Sequence, residues 1–317
     1  MISLFTGFHS PGIKLAATLG MAFVAAGAIA AGPFQIGDIV YTDSFGAVFK
    51  INPATGERAI VARDDKLVQP FGIALEANGD VLVTDTGALA IVRIDSQTGS
   101  QSVVATGGLL GIPYGIAVDR KGDILIANLQ AIVRVNPLTG EQAIVSAGGH
   151  FGVGYPLGVA VAENGDLIVA NVGFPSEIIR VNPRTGQQTL LAKDGYLRFP
   201  QSIAVDGNDI YLTVMATADQ NFGIGRVIHV DMHSGRQTEV STGCNLVKPV
   251  GIAVDGNGQL VVGDPYSINL DSVERYDGAI IRVDPLGGGQ TLIARGQDNY
   301  VNPLGIAIVR AVQPKVR

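Results

Sequence analysis

Short apolar runs alternate with turn sequences along almost the whole chain after residue 31. A typical run has five residues rich in Val, Ile and Leu, as in Val81–Asp85 and Ile124–Asn128. Asn-Gly and Pro-x-Thr-Gly sequences separate the runs, and both are typical of turns rather than helices. No stretch of this part of the chain has a sustained 3.6-residue apolar period. The pattern therefore predicts a series of short β-strands.

The strands belong to a repeat. The string Pro-x-Gly-Ile-Ala-Val, or a near copy of it, begins at Pro70, Pro113, Pro156, Pro200, Pro249 and Pro303. Each interval between copies holds four strands, here named a to d: the opening strand, the run after an Asn-Gly turn, an Ile-x-Arg-x-Asn/Asp strand, and a final run after Pro-x-Thr-Gly. Four strands in a repeat of about 40–50 residues are typical of a β-propeller blade.

The two ends of the chain complete the count of blades. Segment 34–69 has strands b, c and d (Ile39–Asp43, Val48–Asn52 and Arg58–Val61) but lacks an opening strand, whereas Pro303–Val309 is an opening strand alone. We predict an all-β, six-bladed β-propeller over residues 31–317, with four antiparallel strands per blade. The C-terminal strand joins the N-terminal strands, which closes the ring and leaves no free edge. The blade shared by the two ends is numbered one.

The first thirty residues have the pattern of a secretory signal peptide. Leu15–Ala31 is uncharged, follows Lys14 and contains the small-x-small sequence Ala28-Ile29-Ala30. We therefore expect residues 1–30 to be removed and the protein to be periplasmic or extracellular, with no membrane attachment after cleavage. The alternative is an uncleaved membrane anchor, because a spanning helix needs about 20 apolar residues.

Composition excludes some functions. Charged residues make up 16% of the chain, the net charge is −6 and the isoelectric point is near 5.2. A nucleic-acid-binding protein usually has a basic face, so we expect no nucleic acid partner. The chain has one cysteine, Cys244, and therefore no internal disulfide.

The repeat resembles known propeller families. The Pro-x-Gly-Ile-Ala-Val opening, followed by a Val-x-Thr/Ala-Asp/Asn strand, is similar to the NHL-type propellers and to the senescence-marker and gluconolactonase-like superfamily. The repeat texture also resembles virginiamycin B lyase-like proteins, and Tyr41-Thr42-Asp43 resembles the repeat of the YWTD propellers. The resemblance implies the same fold. It implies several activities, because this group includes lactonases, lyases and binding scaffolds.

Strand b ends in a ring of oxygen-bearing side chains that has two interpretations. The ring consists of Asp43, Asp85, Asn128, Asn171 and Asp264, with Val214 in blade five. These side chains either cap backbone N–H groups of the following turn or bind Ca²⁺ or Mg²⁺ at the channel mouth. The resemblance to gluconolactonase-like enzymes implies that metal ligands, where present, include Asn or Asp at the x position of the Pro-x-Gly opening. In this chain those positions are Phe71, Tyr114, Leu157, Gln201, Val250 and Leu304. Five of the six have no carboxylate or amide oxygen, so we expect no metal at these positions.

Strand c carries a second ring, formed by Lys50, Arg93, Arg134, Arg180, His229 and Arg282. We interpret it as a set of polar contacts between blades, paired with neighbouring carboxylates. No histidine lies in a recognisable catalytic or zinc motif.

Departures from the repeat indicate where a ligand binds, because an asymmetric ligand requires an asymmetric surface. The b–c loops of blades five and six are long, and they lie on the same face as the d-to-a connections. Aromatic residues on such loops, next to carboxylates, are typical of binding surfaces. The predicted ligand-binding residues are Phe71, Tyr114, Gln201, Asp219, Asn221, Phe222, Tyr266, Asp271, Glu274 and Tyr276.

We therefore expect an exported propeller that binds a small molecule, a glycan or a protein through the loop-rich face of blades five and six, without a catalytic residue or cofactor. The alternative is a metal-assisted lactonase or other hydrolase, or a lyase, that uses Ca²⁺ or Mg²⁺ held by the strand-b ring.

Overall fold

Six four-stranded antiparallel sheets make up the computed structural model, which describes residues 33–215, 224–267, 278–295 and 302–311. The strands are β1 (Ile39–Asp43), β2 (Ala47–Ile51), β3 (Arg58–Arg63), β4 (Pro70–Leu75), β5 (Val81–Asp85), β6 (Ala90–Ile94), β7 (Gln101–Thr106), β8 (Ile116–Val118), β9 (Ile124–Asn128), β10 (Ala131–Val135), β11 (Gln142–Ala147), β12 (Gly154–Val161), β13 (Leu167–Gly173), β14 (Glu177–Val181), β15 (Gln188–Lys193), β16 (Pro200–Asp206), β17 (Asp209–Val214), β18 (Arg226–Asp231), β19 (Gln237–Thr242), β20 (Gly251–Val254), β21 (Leu260–Asp264), β22 (Ala279–Val283), β23 (Gln290–Arg295) and β24 (Pro303–Ile308).

The predicted six-bladed propeller is confirmed, and so is its closure. Blade one has the strand order β24-β1-β2-β3, and each of the other five blades consists of four consecutive strands. Beyond the ladder between β24 and β1, the N–H of Gly37 donates to the carbonyl of Val309 at 2.8 Å, and the N–H of Val309 donates to the carbonyl of Asp38 at 2.9 Å. The two ends of the described chain thus share one sheet.

The core lies between the blades. Each of six clusters of buried apolar side chains draws on two neighbouring blades, including one between blades six and one. Strands b and c supply most of the fully buried residues, because both of their faces are covered by adjacent sheets. A blade therefore buries its apolar side chains against its neighbours.

The inner strands touch one another around the axis. A Cβ on Gly115 of blade three would lie 2.5 Å from the carbonyl oxygen of Leu157 in blade four, and one on Gly305 would lie 2.5 Å from that of Phe71. Glycine is required there because the neighbouring backbone occupies the space of a side chain. In blade one, the Thr42 hydroxyl accepts a hydrogen bond from the N–H of Gly305 and donates one to the carbonyl of Phe71 in blade two, which ties the two blades together.

Three members of the strand-c ring, Arg93, Arg134 and Arg180, form contacts between blades, as the sequence indicated, whereas His229 and Arg282 pair with carboxylates of their own blades. Arg93 pairs with Glu76 of its own blade and donates to the carbonyl of Pro137 in blade three at 3.0 Å. Arg134 and Arg180 reach the corresponding turns of blades four and five, with the carbonyls of Pro183 and Met232 as acceptors. These contacts lie at the end of the blades opposite the b–c loops.

Blade four departs from the repeat in a way that the sequence did not indicate. Strands β12 and β13 extend their pairing to Gly154 and Gly173, and a 3₁₀-helix at Gly149–Val153 precedes them. Strand lengths otherwise agree with the predicted runs to within about two residues. No helix in the parts of the chain that the structure describes is long and apolar enough to cross a membrane.

We predict that Gly115→Ala destabilises the protein by about 1–3 kcal/mol, because the added methyl group meets a backbone carbonyl that cannot move away without opening the contact between blades three and four. Urea unfolding measures the change. The matched control is Gly289→Ala, at an exposed glycine with nothing within 4 Å of the added Cβ. Equal stability of the two variants would contradict the close contact.

Candidate functional site

A cavity runs along the propeller axis. Its volume is about 320 Å³, and the inner strands of all six blades form its wall. Five of the six x residues of the Pro-x-Gly openings line it: Phe71, Leu157, Gln201, Val250 and Leu304. The lining is apolar except at Gln201 and Ser202 in blade five and at Arg310. Gln201 donates a hydrogen bond to the carbonyl of Phe199 at 2.9 Å, which holds its side chain against the wall.

Three aromatic rings cluster beside the cavity. Phe71 and Tyr114, the x residues of blades two and three, meet edge to face with their ring centroids 5.6 Å apart, and Tyr155 of blade four lies 5.9 Å from Tyr114. Burial raises the pKa of both tyrosines, and repulsion from an ionised Tyr155 would raise the pKa of Tyr114 further. Both phenols are therefore neutral at ordinary pH and act as hydrogen-bond donors on an apolar surface.

Tyr155 was missing from the residues predicted by the sequence. It stands immediately before the opening proline of blade four, where blade five has Phe199 and the other blades have Gln69, Ile112, Lys248 and Asn302. The sequence feature that could have identified Tyr155 is that only two blades have an aromatic residue at this position. Its partner, Tyr114, comes from a different repeat, so their contact required the fold.

Loop tips around the mouth carry exposed apolar side chains. Phe45 is 67% exposed, Val153 68% and Phe174 82%, and Val68 and Leu129 are exposed as well. They belong to the b–c loops and d-to-a connections of blades one to four. These loops share one face, because Asp85 at the end of β5 accepts hydrogen bonds from Val68 in one loop and from Ala88 in the other. The exposed apolar tips therefore lie on the same face of the propeller as the aromatic cluster.

The strand-b ring holds the loops of that face together. The two carboxylate oxygens of Asp85 accept hydrogen bonds from four backbone N–H groups, and those of Asp43 accept from Phe45 and Asn302. Asn128 accepts from Gly111 and donates to the carbonyl of Leu109, and Asn171 donates to the carbonyl of His150. These are the bonds of the capping role. In the described part of the chain, no group of three or more His, Cys, Asp or Glu side chains is placed to hold a metal ion.

Asp264 is the capping carboxylate whose ionisation is most affected by its surroundings. Burial raises its pKa from the ordinary value of 3.8 to about 6, against the opposing effect of N–H donors from Val247, Tyr266 and Lys248. A raised pKa in the folded state means that ionisation costs folding free energy. The contribution of Asp264 to stability is therefore largest below about pH 4 and falls as the pH rises through 6.

The other predicted site residues divide into two groups. Tyr266 is 42% exposed on the loop face, and the Lys248 ammonium lies 4.5 Å from its ring centroid, within the range of a cation–π contact. Asp219, Asn221, Phe222, Asp271, Glu274 and Tyr276 lie outside the described residues. The long loops of blades five and six thus remain predicted parts of the site, whereas the described aromatic cluster belongs to blades two to four.

Blade four also presents a histidine–carboxylate pair on the loop face. The Nδ1 atom of His150, in the 3₁₀-helix, lies 2.9 Å from Oε2 of Glu177 at the start of β14. The Glu177 side chain is 8% exposed and that of His150 is 34% exposed. No spacing in the sequence links these two residues, and the tertiary structure brings the 3₁₀-helix and the start of β14 together.

Comparisons with known proteins define the class by fold alone. No family model and no curated protein matches the chain. A chain in the crystal structure of a nidogen/laminin complex is similar, with a TM-score of 0.71, 16% identity, and coverage of 87% of this chain and 99% of that one. Virginiamycin B lyase from Staphylococcus aureus is similar with a TM-score of 0.51, 19% identity, and coverage of 70% and 69%. The protein is a six-bladed β-propeller, and identities this low carry no statement about its activity.

For Asp264 we predict a pH-dependent effect of Asp264→Asn. The advantage of the wild-type protein over the variant in free energy of unfolding should shrink by up to about 3 kcal/mol between pH 4 and pH 7, because only the wild-type carboxyl becomes charged while buried. Urea unfolding at several pH values measures it.

The control for this experiment is Asp95→Asn, for which the opposite slope is expected. Hydrogen bonds from the Thr98 N–H and hydroxyl and from the Gln97 N–H lower the pKa of the exposed Asp95 carboxyl. The wild-type advantage over this variant should grow with pH. A constant or growing advantage over Asp264→Asn would contradict the assignment for Asp264.

Proposed function

We propose that this protein is an exported, noncatalytic propeller that binds a partner protein through its loop face, with an apolar or aromatic side chain of the partner seated on the aromatic cluster at the channel mouth. The observation that carries the proposal is the set of exposed apolar loop tips on the same face as the cluster of Phe71, Tyr114 and Tyr155. The sequence leaves a small molecule, a glycan or a protein as the possible partner. A protein is the partner that best covers exposed loops from four blades.

The composition of this surface supports the proposal. Exposed apolar residues that occur together mark interaction sites, whereas scattered ones need no explanation. Aromatic residues supply much of the binding energy in protein interfaces, and the largest contributions come from the centre of the contact. Here the aromatic cluster lies beside the axial cavity, and the exposed loop tips Phe45, Val153 and Phe174 lie on the same face. The similar propeller in the nidogen/laminin structure was crystallised in a protein complex, which is consistent with this use of the fold.

Rigidity of the loops supports the same conclusion. The strand-b carboxylates and amides bind the backbone N–H groups of the loops that carry the exposed side chains. Loops fixed in this way lose little conformational entropy when a partner binds. The same hydrogen bonds disfavour the alternative, a lactonase or lyase with Ca²⁺ or Mg²⁺ in the strand-b ring, because a cation would compete with these N–H groups for the oxygen atoms.

Selection of peptides from a random phage-displayed library tests the proposed surface. Peptides recovered on the wild-type protein should contain aromatic or large apolar residues. Tyr114→Ser should weaken their binding by about tenfold or more, because hot-spot aromatics contribute upwards of about 1.4 kcal/mol each. Fluorescence anisotropy of labelled peptides measures the affinity.

The chain offers a matched control on the opposite face. Leu138 lies in the turn between β10 and β11 and is 91% exposed. Leu138→Ser should leave the affinity of every selected peptide unchanged. Peptides that respond to Leu138→Ser and ignore Tyr114→Ser would contradict the proposed site, and a library that yields only charged peptides would contradict the proposed chemistry.

Thermal unfolding with Ca²⁺ or Mg²⁺ separates the binding role from the metal-assisted alternative. Because a ligand that binds only the folded state raises Tm in proportion to the logarithm of its concentration over Kd, a site in the strand-b ring predicts a rising Tm. We expect the Tm to be the same with millimolar Ca²⁺, with Mg²⁺ and with a chelator. A concentration-dependent rise that Asp85→Asn abolishes would favour the alternative.

A further inference from the structure

A second cleft opens on the loop face, at the junction of blades four and five. Its walls are the loop between β13 and β14 and the connection between β15 and β16, and its volume is about 260 Å³. It shares no lining residue with the axial cavity. The cleft is smaller than the about 300–1,000 Å³ of sites for drug-sized molecules, so it accommodates one amino-acid-sized group.

One wall of the cleft is aromatic. Phe174 is 82% exposed and meets Phe199 edge to face, with ring centroids 5.5 Å apart. Phe199 has a backbone φ of 51°, in the left-handed region that bulky residues rarely adopt, and none of the described residues preceding the other opening prolines does so. Phe199 is also part of the cleft wall. Backbone outliers of this kind cluster at functional sites, which supports a role for the cleft.

The same cleft contains Arg198, whose guanidinium has no counterion among the residues that the structure describes. Arg198 is half-buried, and among the described residues its side chain forms no hydrogen bond or ion pair. By contrast, the half-buried Arg93 is bound by Glu76 and by a backbone carbonyl. Asp194 also lines the cleft, but it is exposed, so water and salt screen its charge more strongly than that of Arg198. The net preference of the site is for an anion beside an apolar group.

We propose that this cleft binds the carboxylate of a small ligand through Arg198, with the apolar or aromatic body of the ligand against Phe174 and Phe199. A planar guanidinium matches a carboxylate in a two-point contact, which makes arginine the suitable residue for this role. Two sources supply such chemistry: a free aromatic carboxylic acid and the C-terminal residue of a polypeptide. The cleft shares no lining residue with the axial cavity. Phe174 also belongs to the proposed protein-binding surface, but recognition of a carboxylate by Arg198 stands whether or not that surface binds a protein.

Fluorescence anisotropy of N-acetyltryptophan tests the proposal on the full-length protein. The chain contains no tryptophan, so the indole signal reports the probe alone. We expect the acid to bind more tightly than N-acetyltryptophanamide by about tenfold to a hundredfold, the range for a hydrogen bond to a charged group. Arg198→Gln should reduce the affinity for the acid to that for the amide.

Further variants separate the two halves of the site. Phe174→Ser should weaken acid and amide alike, because it removes the aromatic wall, and Asp194→Asn should preserve or raise the affinity for the acid. The matched control is Arg184→Gln, at an exposed arginine on the turn between β14 and β15. Far-UV circular dichroism and Tm confirm that each variant is folded. Equal binding of acid and amide, an Arg198→Gln variant that binds as the wild type does, or no binding at millimolar probe would overturn the proposal.

A short peptide ending in tryptophan, with a free or an amidated C-terminus, distinguishes the two sources. Tighter binding of the free-acid peptide than of N-acetyltryptophan identifies a polypeptide C-terminus, because flanking residues then contribute. Equal or weaker binding identifies a free acid. In both cases the carboxylate is recognised if amidation weakens the affinity of the peptide by the same factor as it weakens the affinity of N-acetyltryptophan.

Discussion

The close approach of the inner strands around the axis is the contact on which the rest of the structure depends. Where Gly115 faces Leu157 and Gly305 faces Phe71, the backbone of one blade occupies the space that a side chain would fill. This spacing keeps the axial cavity at about 320 Å³, and five of the six x side chains line its wall. Because each apolar cluster contains side chains from two neighbouring blades, a single blade cannot bury its own apolar side chains. The contact between β24 and its neighbours completes the ring.

The sequence predicted the fold well because each repeat carries its own turn chemistry. The Pro-x-Thr-Gly and Asn-Gly turns and the unpaired opening strand at Pro303 were sufficient to predict four strands per blade and the closure. It also indicated the role of Arg93 and Arg134, because a charged residue repeated on one strand needs a repeated partner. These features are local or periodic, and local patterns can be read without coordinates.

The candidate sites were harder to predict, for a physical reason. The most visible departures from the repeat in the sequence are the insertions in blades five and six. Tyr155, Phe174 and the His150–Glu177 pair lie in blade four, where the loops are short and the departure consists of an extended hairpin and changed backbone angles. Their significance lies in contacts with other repeats or distant residues, such as Tyr155 with Tyr114 and Phe174 with Phe199. Only the tertiary structure brings these residues together.

The loop face thus contains two kinds of residue, those that hold the scaffold and those of the candidate site. Repeated polar residues at the ends of strand b bind backbone and fix the loops, and unrepeated aromatic and apolar residues on those loops form the surface at which we propose that a partner binds. Such a division requires a rigid, closed ring. Amide hydrogen exchange measured on the full-length protein tests this most directly. Amides of β24 should exchange as slowly as those of β4, the equivalent strand of blade two, because both lie between two neighbouring blades. Rapid exchange throughout β24, with β4 protected, would contradict the closed ring and with it the assignment of the binding face.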